Sequence, residues 1–189
     1  MKNEINRIAG RLVKAYNTNT VINPIPVKYC KNINLANKLR KLCEDQIKDE
    51  TIGIKAGGTG IQALKKLKEK EPFTAKVFKK RLVKSGQKVK INQHTKGIEV
   101  EVYYFIKKSF FDFKGKVTKS NVTKFIKFMG PCFEIVGFRQ RNKKFTYLGD
   151  ICGDFGFNIR FVVGRKTKFK KLNLNNLKTS LVSKKNGVK

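Results

Sequence analysis

Acidic side chains are the scarce chemical resource of this chain, with 13 Asp and Glu set against 44 Lys and Arg. Catalysis by proton transfer or by a bound cation needs carboxylates, histidines or thiols held together. Asp150 and Asp154 lie four apart near glycines, while Asp112 and Glu134 are isolated in the sequence. Two or more such carboxylates could gather a Mg²⁺ for nuclease chemistry. The favoured reading is that they sit in turns and neutralise neighbouring lysines. His94 is the only histidine; beside Lys96 it reads as a contact to phosphate or solvent rather than a base. Cys30, Cys43, Cys132 and Cys152 are scattered without a CxxC pair, which suits a reducing compartment and buried or idle thiols and argues against a zinc site. The Gly-rich stretch IGIKAGGTG ends without the Gly-Lys-Ser/Thr of a phosphate loop and is read as a turn between helices. From the acids, thiols and glycines, no catalytic residue, metal or cofactor is expected, and no enzymatic activity.

Binding groups, by contrast, are abundant. Residues 72–92, PFTAKVFKKRLVKSGQKVKIN, carry Lys76, Lys79, Lys80, Arg81, Lys84, Lys88 and Lys90 with no acid among them. Val77-Phe78 before and Val89 with Ile91 after predict a hairpin with a basic loop turned at Gly86. The formal charge of +31, on a chain that is 40% hydrophobic and has 15 Phe, describes a folded domain that needs an anionic partner rather than a disordered tail. Nucleic acid phosphate is the expected counter-charge. Lysine acts as a mobile point charge, so shape and backbone recognition of RNA is expected over base reading. Tyr103, Tyr104, Phe110 and Phe111 could stack on bases, although core packing is the commoner fate of such residues. No membrane partner is expected: no apolar run approaches about 18 residues, and there is no basic amphipathic helix with Trp anchors. The first residues lack the apolar core of a secretory signal. The Lys, Asn, Ile and Phe usage hints at an A/T-rich genome.

These groups need a scaffold, and the periodicity supplies one. Ile5, Ile8, Leu12 and Tyr16 predict a helix over Asn3 to Tyr16. Pro24 and Pro26 force an extended path. Val27, Tyr29, Ile33 and Leu35 read as strand, and Leu35, Leu39, Leu42 and Ile47 as a helical stripe. Ile61, Leu64 and Leu67 form a short helix that Thr59 can cap and Pro72 stops. Residues 97–110 fit helix or strand equally. Phe110 to Gly115 predict a turn; Val122, Phe125, Ile126 and Met129 predict a helix ended by Gly130-Pro131. Phe133 and Ile135, Phe145 to Leu148, and Phe157 to Val163 predict strands, and Leu172, Leu174 and Leu177 a last short element. The sum is one α+β domain over 1–182, with a mainly antiparallel sheet and helices packed on one face, and a flexible basic tail at 183–189.

In order and spacing these features resemble the ribosomal large-subunit protein five family, the 5S-rRNA-binding protein of the central protuberance. The matching stretches are YNTNTVINPIPVKYCKNINL, IQALKKLKEKEP with FTAK, FKKR with SGQKVKI, DFKG and GFNIRFVVGRK. The resemblance implies a structural constituent of the ribosome that binds ribosomal RNA, lies beside other ribosomal proteins and holds a basic loop toward the P-site tRNA. It implies 5S contacts at Lys31, Asn32, Asn34 and Asn37, and tRNA-facing residues at Lys79, Lys80, Arg81 and Lys84. Lys76, Lys88, Lys90, Lys114, Lys116, Arg165 and Lys166 complete the expected RNA-binding set. A mitochondrial matrix ribosome is the expected location, ahead of a cytoplasmic one. A rival stretch, KSNVTKFIKFMGPCFEIVGF, is similar to the core of RusA-type Holliday-junction resolvases. Asn121 and Thr123 stand at its acid positions and Lys127 alone survives, which implies a DNA-binding relic.

Overall fold

The computed structural model describes residues 2–90, 94–170, 178–180 and 182. Helix α1 (Lys2–Thr18) buries Ile5, Ile8, Leu12 and Tyr16 on one stripe, as their spacing dictates. The path then stays extended through Pro24 and Pro26, and α2 (Lys28–Lys31) and α3 (Ile33–Asp45) follow. Here the expected strand over Val27 to Leu35 is corrected. Asn32 breaks the chain and caps α3, its side-chain oxygen accepting from the N–H groups of Asn34 and Leu35. Glu4 of α1 ties the first two helices by accepting from Lys28 at 2.7 Å and from the Tyr29 hydroxyl at 3.0 Å. Leu12, Tyr29, Leu39 and Cys43 meet in one apolar cluster that also takes in Phe78 and Phe155.

Strand β1 (Thr51–Gly57) replaces the expected turn between helices and pairs antiparallel with β2 (Phe73–Phe78). Gly57 is needed at its end because the Phe73 ring lies where a Cβ would stand. Between them, α4 (Ile61–Leu67) starts at Gly60 without a side-chain cap, so Thr59 does not have the expected role.

The predicted basic hairpin does not form. After β2 the chain makes a 3₁₀ turn at Lys79–Arg81 and enters β3 (Leu82–Lys84), which joins the other sheet in parallel with β6 (Asn158–Val163). Residues 87–90 have no regular structure, and Ile91 and Asn92 lie outside the described residues.

The larger sheet has the order β3-β6-β5-β4. Strand β4 (Thr95–Ile106) settles the open reading of residues 97–110 as strand through Ile106. It pairs antiparallel along the length of β5 (Ile126–Gly137). The helix expected over Val122 to Met129 is a 3₁₀ turn that ends at Phe125; from Ile126 the cross-strand ladder outweighs the local helical spacing. On its other edge β5 pairs with β6 at 132–136 and with β7 (Thr167–Lys168) at 128–129. Pro131, which cannot donate to a ladder, falls in the gap between those two partners. The strand expected at Phe145 to Leu148 gives way to α5 (Leu148–Cys152), capped by Asp150. The architecture is thus α+β with mainly antiparallel sheets, as the periodicity predicted. The expected element at 172–177 and the basic tail at 183–189 lie outside the described residues.

Candidate active site

Side chains two apart on a strand share a face. Glu99 and Glu101 therefore project together from β4. The β4–β5 register sets Glu134 opposite Glu99 and Cys132 opposite Glu101, so the third carboxylate reaches the same face. One oxygen from each of Glu99, Glu101 and Glu134 lies within 4.8 Å of the other two. Glu134 is buried, and the other two are open to solvent.

Lys55 arrives from the smaller sheet. Its Nζ donates to both oxygens of Glu134, at 2.5 and 2.7 Å, and to the Gly156 carbonyl at 2.9 Å. That carbonyl is presented by a turn in which Phe155, Gly156 and Phe157 all have positive φ, at 53, 66 and 70°. A Cβ on Gly156 would approach the Ala75 Cβ to 2.7 Å, so glycine is required for both the conformation and the approach. Asn158 Nδ2 donates to Glu134 Oε1 at 3.4 Å.

The electrostatics are unbalanced toward negative charge. Burial raises the pKa of the Glu134 carboxyl, opposed by the charge and hydrogen bonds of Lys55. Burial also raises Glu101, with Glu99 alongside adding to the shift. The Cys132 thiol is pushed up to about 11 by burial and then by Glu101 and Glu134. Among the described residues, Lys55 is the one cation in a salt bridge with the triad. Three carboxylates and one ammonium leave room for a divalent cation. An all-oxygen donor set suits Mg²⁺, Ca²⁺ or Mn²⁺ rather than softer metals.

A pH dependence follows. The native Glu134 and Glu101 carboxyls hold protons above the ordinary carboxylate pKa, so in that window the native chain binds more protons than the unfolded one. Stability of the cation-free protein therefore falls as pH rises through the window. A divalent cation needs the ionised carboxylates, so its affinity changes the other way and weakens as pH falls through the raised pKa values. Calorimetric titration with Mg²⁺ in two buffers of different ionisation enthalpy should show net proton release in that window and none well above it. Proton uptake, or affinity that improves on acidification, would contradict the assignment.

The residues singled out from sequence fall elsewhere. Asp154 is fully buried against Arg139, and Asp150 pairs with Lys143 at 2.7 Å. Asp112 is exposed in the β4–β5 loop. These acids do not gather; of those named, only Glu134 joins the cluster. Lys31, Asn32 and Asn34 lie exposed around the start of α3, with Asn32 serving as the cap. Asn37 accepts from Arg40 at 3.2 Å. Lys76 pairs with Asp45 and Lys79 with Glu50, while Lys80, Lys84, Lys88 and Lys90 are exposed. Arg81 is buried, stacked 3.7 Å from the Tyr16 ring centroid and donating to the Tyr16 carbonyl, so it holds the fold rather than a ligand. Lys114 and Lys116 lie at the tip of the β4–β5 hairpin and Arg165 follows β6, all exposed. The Lys166 ammonium sits 5.0 Å over the Phe128 ring, near that hairpin. Sequence reasoning passed over Glu99 and Glu101. Their signal was the alternation in GIEVEV, which puts two acids on one face once the segment is read as strand.

No protein-family model matches the sequence, and no curated protein matches it. Solved structures do share the fold. The chain is similar to 4-oxalocrotonate decarboxylase from Pseudomonas putida G7. In that enzyme's complex with magnesium and adipate the TM-score is 0.68 at 16% identity, over 89% of this chain and 65% of that one. In its complex with calcium and acetate the TM-score is 0.71 at 16% identity, over 89% of this chain and 64% of that one. The chain spans less than two thirds of the length of that enzyme. These matches overturn the expectation of a non-enzymatic, RNA-binding constituent of the ribosome acting in translation, because the fold is one that an enzyme has. Asn121 and Thr123, at the acid positions of the resolvase-like stretch, lie in the turn that precedes β5.

Proposed function

We propose that this chain acts as an enzyme on a small oxo-carboxylic acid, with a divalent cation held by Glu99, Glu101 and Glu134. The carrying observation is the convergence of three carboxylates and Lys55, in a fold that a decarboxylase adopts in complexes with magnesium and with calcium. When bound, the cation would supply the positive charge that holds a substrate carboxylate and the neighbouring carbonyl oxygen, and that stabilises the charge developing as a carbon–carbon bond breaks. Glu99 and Glu101 are open to solvent, so a substrate can approach the cation from their side. Glu134 is buried and fixes the Lys55 ammonium. The Lys55 ammonium, positioned by Glu134 and Gly156, is the group assigned to hydrogen-bond the developing enolate oxygen and to donate the proton that replaces the lost carbon dioxide, solvent then restoring it.

The test is direct. Purified chain should consume 4-oxalocrotonate and release carbon dioxide in the presence of Mg²⁺, and chelation should abolish turnover. Glu99→Gln should lower kcat/KM by at least about a hundredfold, in line with the losses seen when metal-site ligation is disturbed. If the chain binds Mg²⁺ at the triad yet turns over neither this acid nor related oxo-dicarboxylic acids, the proposal fails.

A further inference from the structure

The β4–β5 hairpin ends in a feature the site does not use. Between Tyr103 and Phe128 the sequence holds seven lysines, one acid and no arginine. All seven, from Lys107 to Lys127, are exposed. The same segment gathers aromatics. Phe125 packs against Phe110 at 5.4 Å and Phe113 at 5.0 Å between ring centroids, and Phe105 against Phe128 at 6.2 Å. This cluster is not covered: Phe111 is 74% exposed, Phe105 54%, Val117 45% and Phe113 38%. An apolar tip ringed by cations is expensive to leave in water, and its own chain supplies neither lid nor counter-charge among the described residues.

We propose that this hairpin tip docks on an anionic lipid surface, with Phe111 and Val117 entering the interface and the lysine ring meeting the headgroups. Charge selects the occupant. A second copy of a chain with net charge +31 would bring like charge to like. A single-stranded nucleic acid would satisfy the lysines but wants open ring faces on which to stack. Here each exposed ring is already engaged by another, Phe111 with Phe110 at 5.6 Å, Phe105 with Phe128 at 6.2 Å and Phe113 with Phe125 at 5.0 Å, and the aliphatic Val117 offers nothing to a base. A bilayer interface satisfies both components, since apolar side chains partition into it and lysines gather at anionic headgroups. The sequence pointed away from membranes because it held neither a spanning run nor a Trp-anchored helix. Indeed no helix among the described residues is long and apolar enough to cross a membrane. A hairpin tip needs neither.

The chain has no tryptophan, so Phe111→Trp installs a single reporter. With the full-length variant and vesicles of phosphatidylcholine containing phosphatidylserine, its emission should shift to the blue and become shielded from an aqueous quencher. Binding should be at least about tenfold tighter than to phosphatidylcholine alone, and Lys114→Glu with Lys116→Glu should remove most of that difference. Phe111→Ser, at a position already largely in water, should melt as the parent does and lose vesicle binding. No shift with anionic vesicles would overturn the proposal. So would binding of polyuridylate that Phe111→Ser abolishes while vesicles leave the reporter unchanged, or a concentration-dependent dimer that the same variant dissolves. None of these readouts involves the triad, so they stand apart from the catalytic proposal.

Discussion

Glu134→Ala should cost the protein both its cation and a large part of its stability. Glu134 is 2% exposed, and both of its oxygens accept from the Lys55 ammonium, itself 10% exposed on its side chain. Removing the carboxylate strands a buried ammonium, which typically costs about 3–5 kcal/mol. For a chain of this size that corresponds to a melting temperature lower by roughly 6–20 °C. It also removes one of the three carboxylates proposed to hold the cation, so Mg²⁺ affinity should fall by at least about a hundredfold. The two effects separate in Lys55→Met. That variant leaves the triad intact but a buried carboxylate uncompensated, so the cation-free protein should melt low. Because cation binding stabilises only the folded state by mass action, added Mg²⁺ should recover more of the melting temperature in Lys55→Met than in the parent, and none in Glu134→Ala. Unchanged Mg²⁺ affinity in Glu134→Ala would remove the triad from consideration as a metal centre.

The reach of sequence reasoning here is uneven for physical reasons. The first helix was legible because Ile5, Ile8, Leu12 and Tyr16 report a local period, and the same is true of the alternation in β6. The segment from Val122 to Met129 was not, because its local period favours a helix while its partner, β4, lies twenty or more residues away. Non-local pairing leaves no mark in a short window. The site was hidden by that same ambiguity. Glu99 and Glu101 become a pair only when 95–106 is a strand, and Glu134 joins them only through register. Lys55 was obscured by the glycines around it, which read as a flexible turn and in fact allow a strand to lie under the Phe73 ring. Net charge misled most. The lysines that suggested RNA are mostly surface groups, two of them paired with acids, whereas Arg81, placed at the centre of a basic loop, is packed on Tyr16.

Asp154→Ala should be as damaging as the loss of Glu134, and should reach the site through the backbone. Asp154 is 0% exposed and accepts from Arg139 Nη1 at 3.2 Å, from the Arg139 backbone N–H at 2.7 Å and from Gln140 Nε2 at 3.2 Å. Burial presses the Arg139 guanidinium pKa down, and Asp154 is the charge that opposes it. Without it, Arg139 keeps only the Asn158 carbonyl and two aromatic neighbours, the Tyr16 and Phe155 rings at 4.8 and 5.1 Å. A buried guanidinium left without its carboxylate again costs about 3–5 kcal/mol. Asp154 also opens the turn that carries Gly156, whose carbonyl receives Lys55. Loosening that turn should let the Lys55 ammonium drift from Glu134. Asp154→Asn retains an accepting oxygen but not the charge, so it should fall between the parent and Asp154→Ala in thermal melts. In the surviving folded fraction of either variant, kcat should drop more than Mg²⁺ affinity, because the triad on β4 and β5 is untouched while the lysine's support is not. A variant that melts low yet keeps full kcat per folded molecule would show that the turn holds the fold together without positioning Lys55.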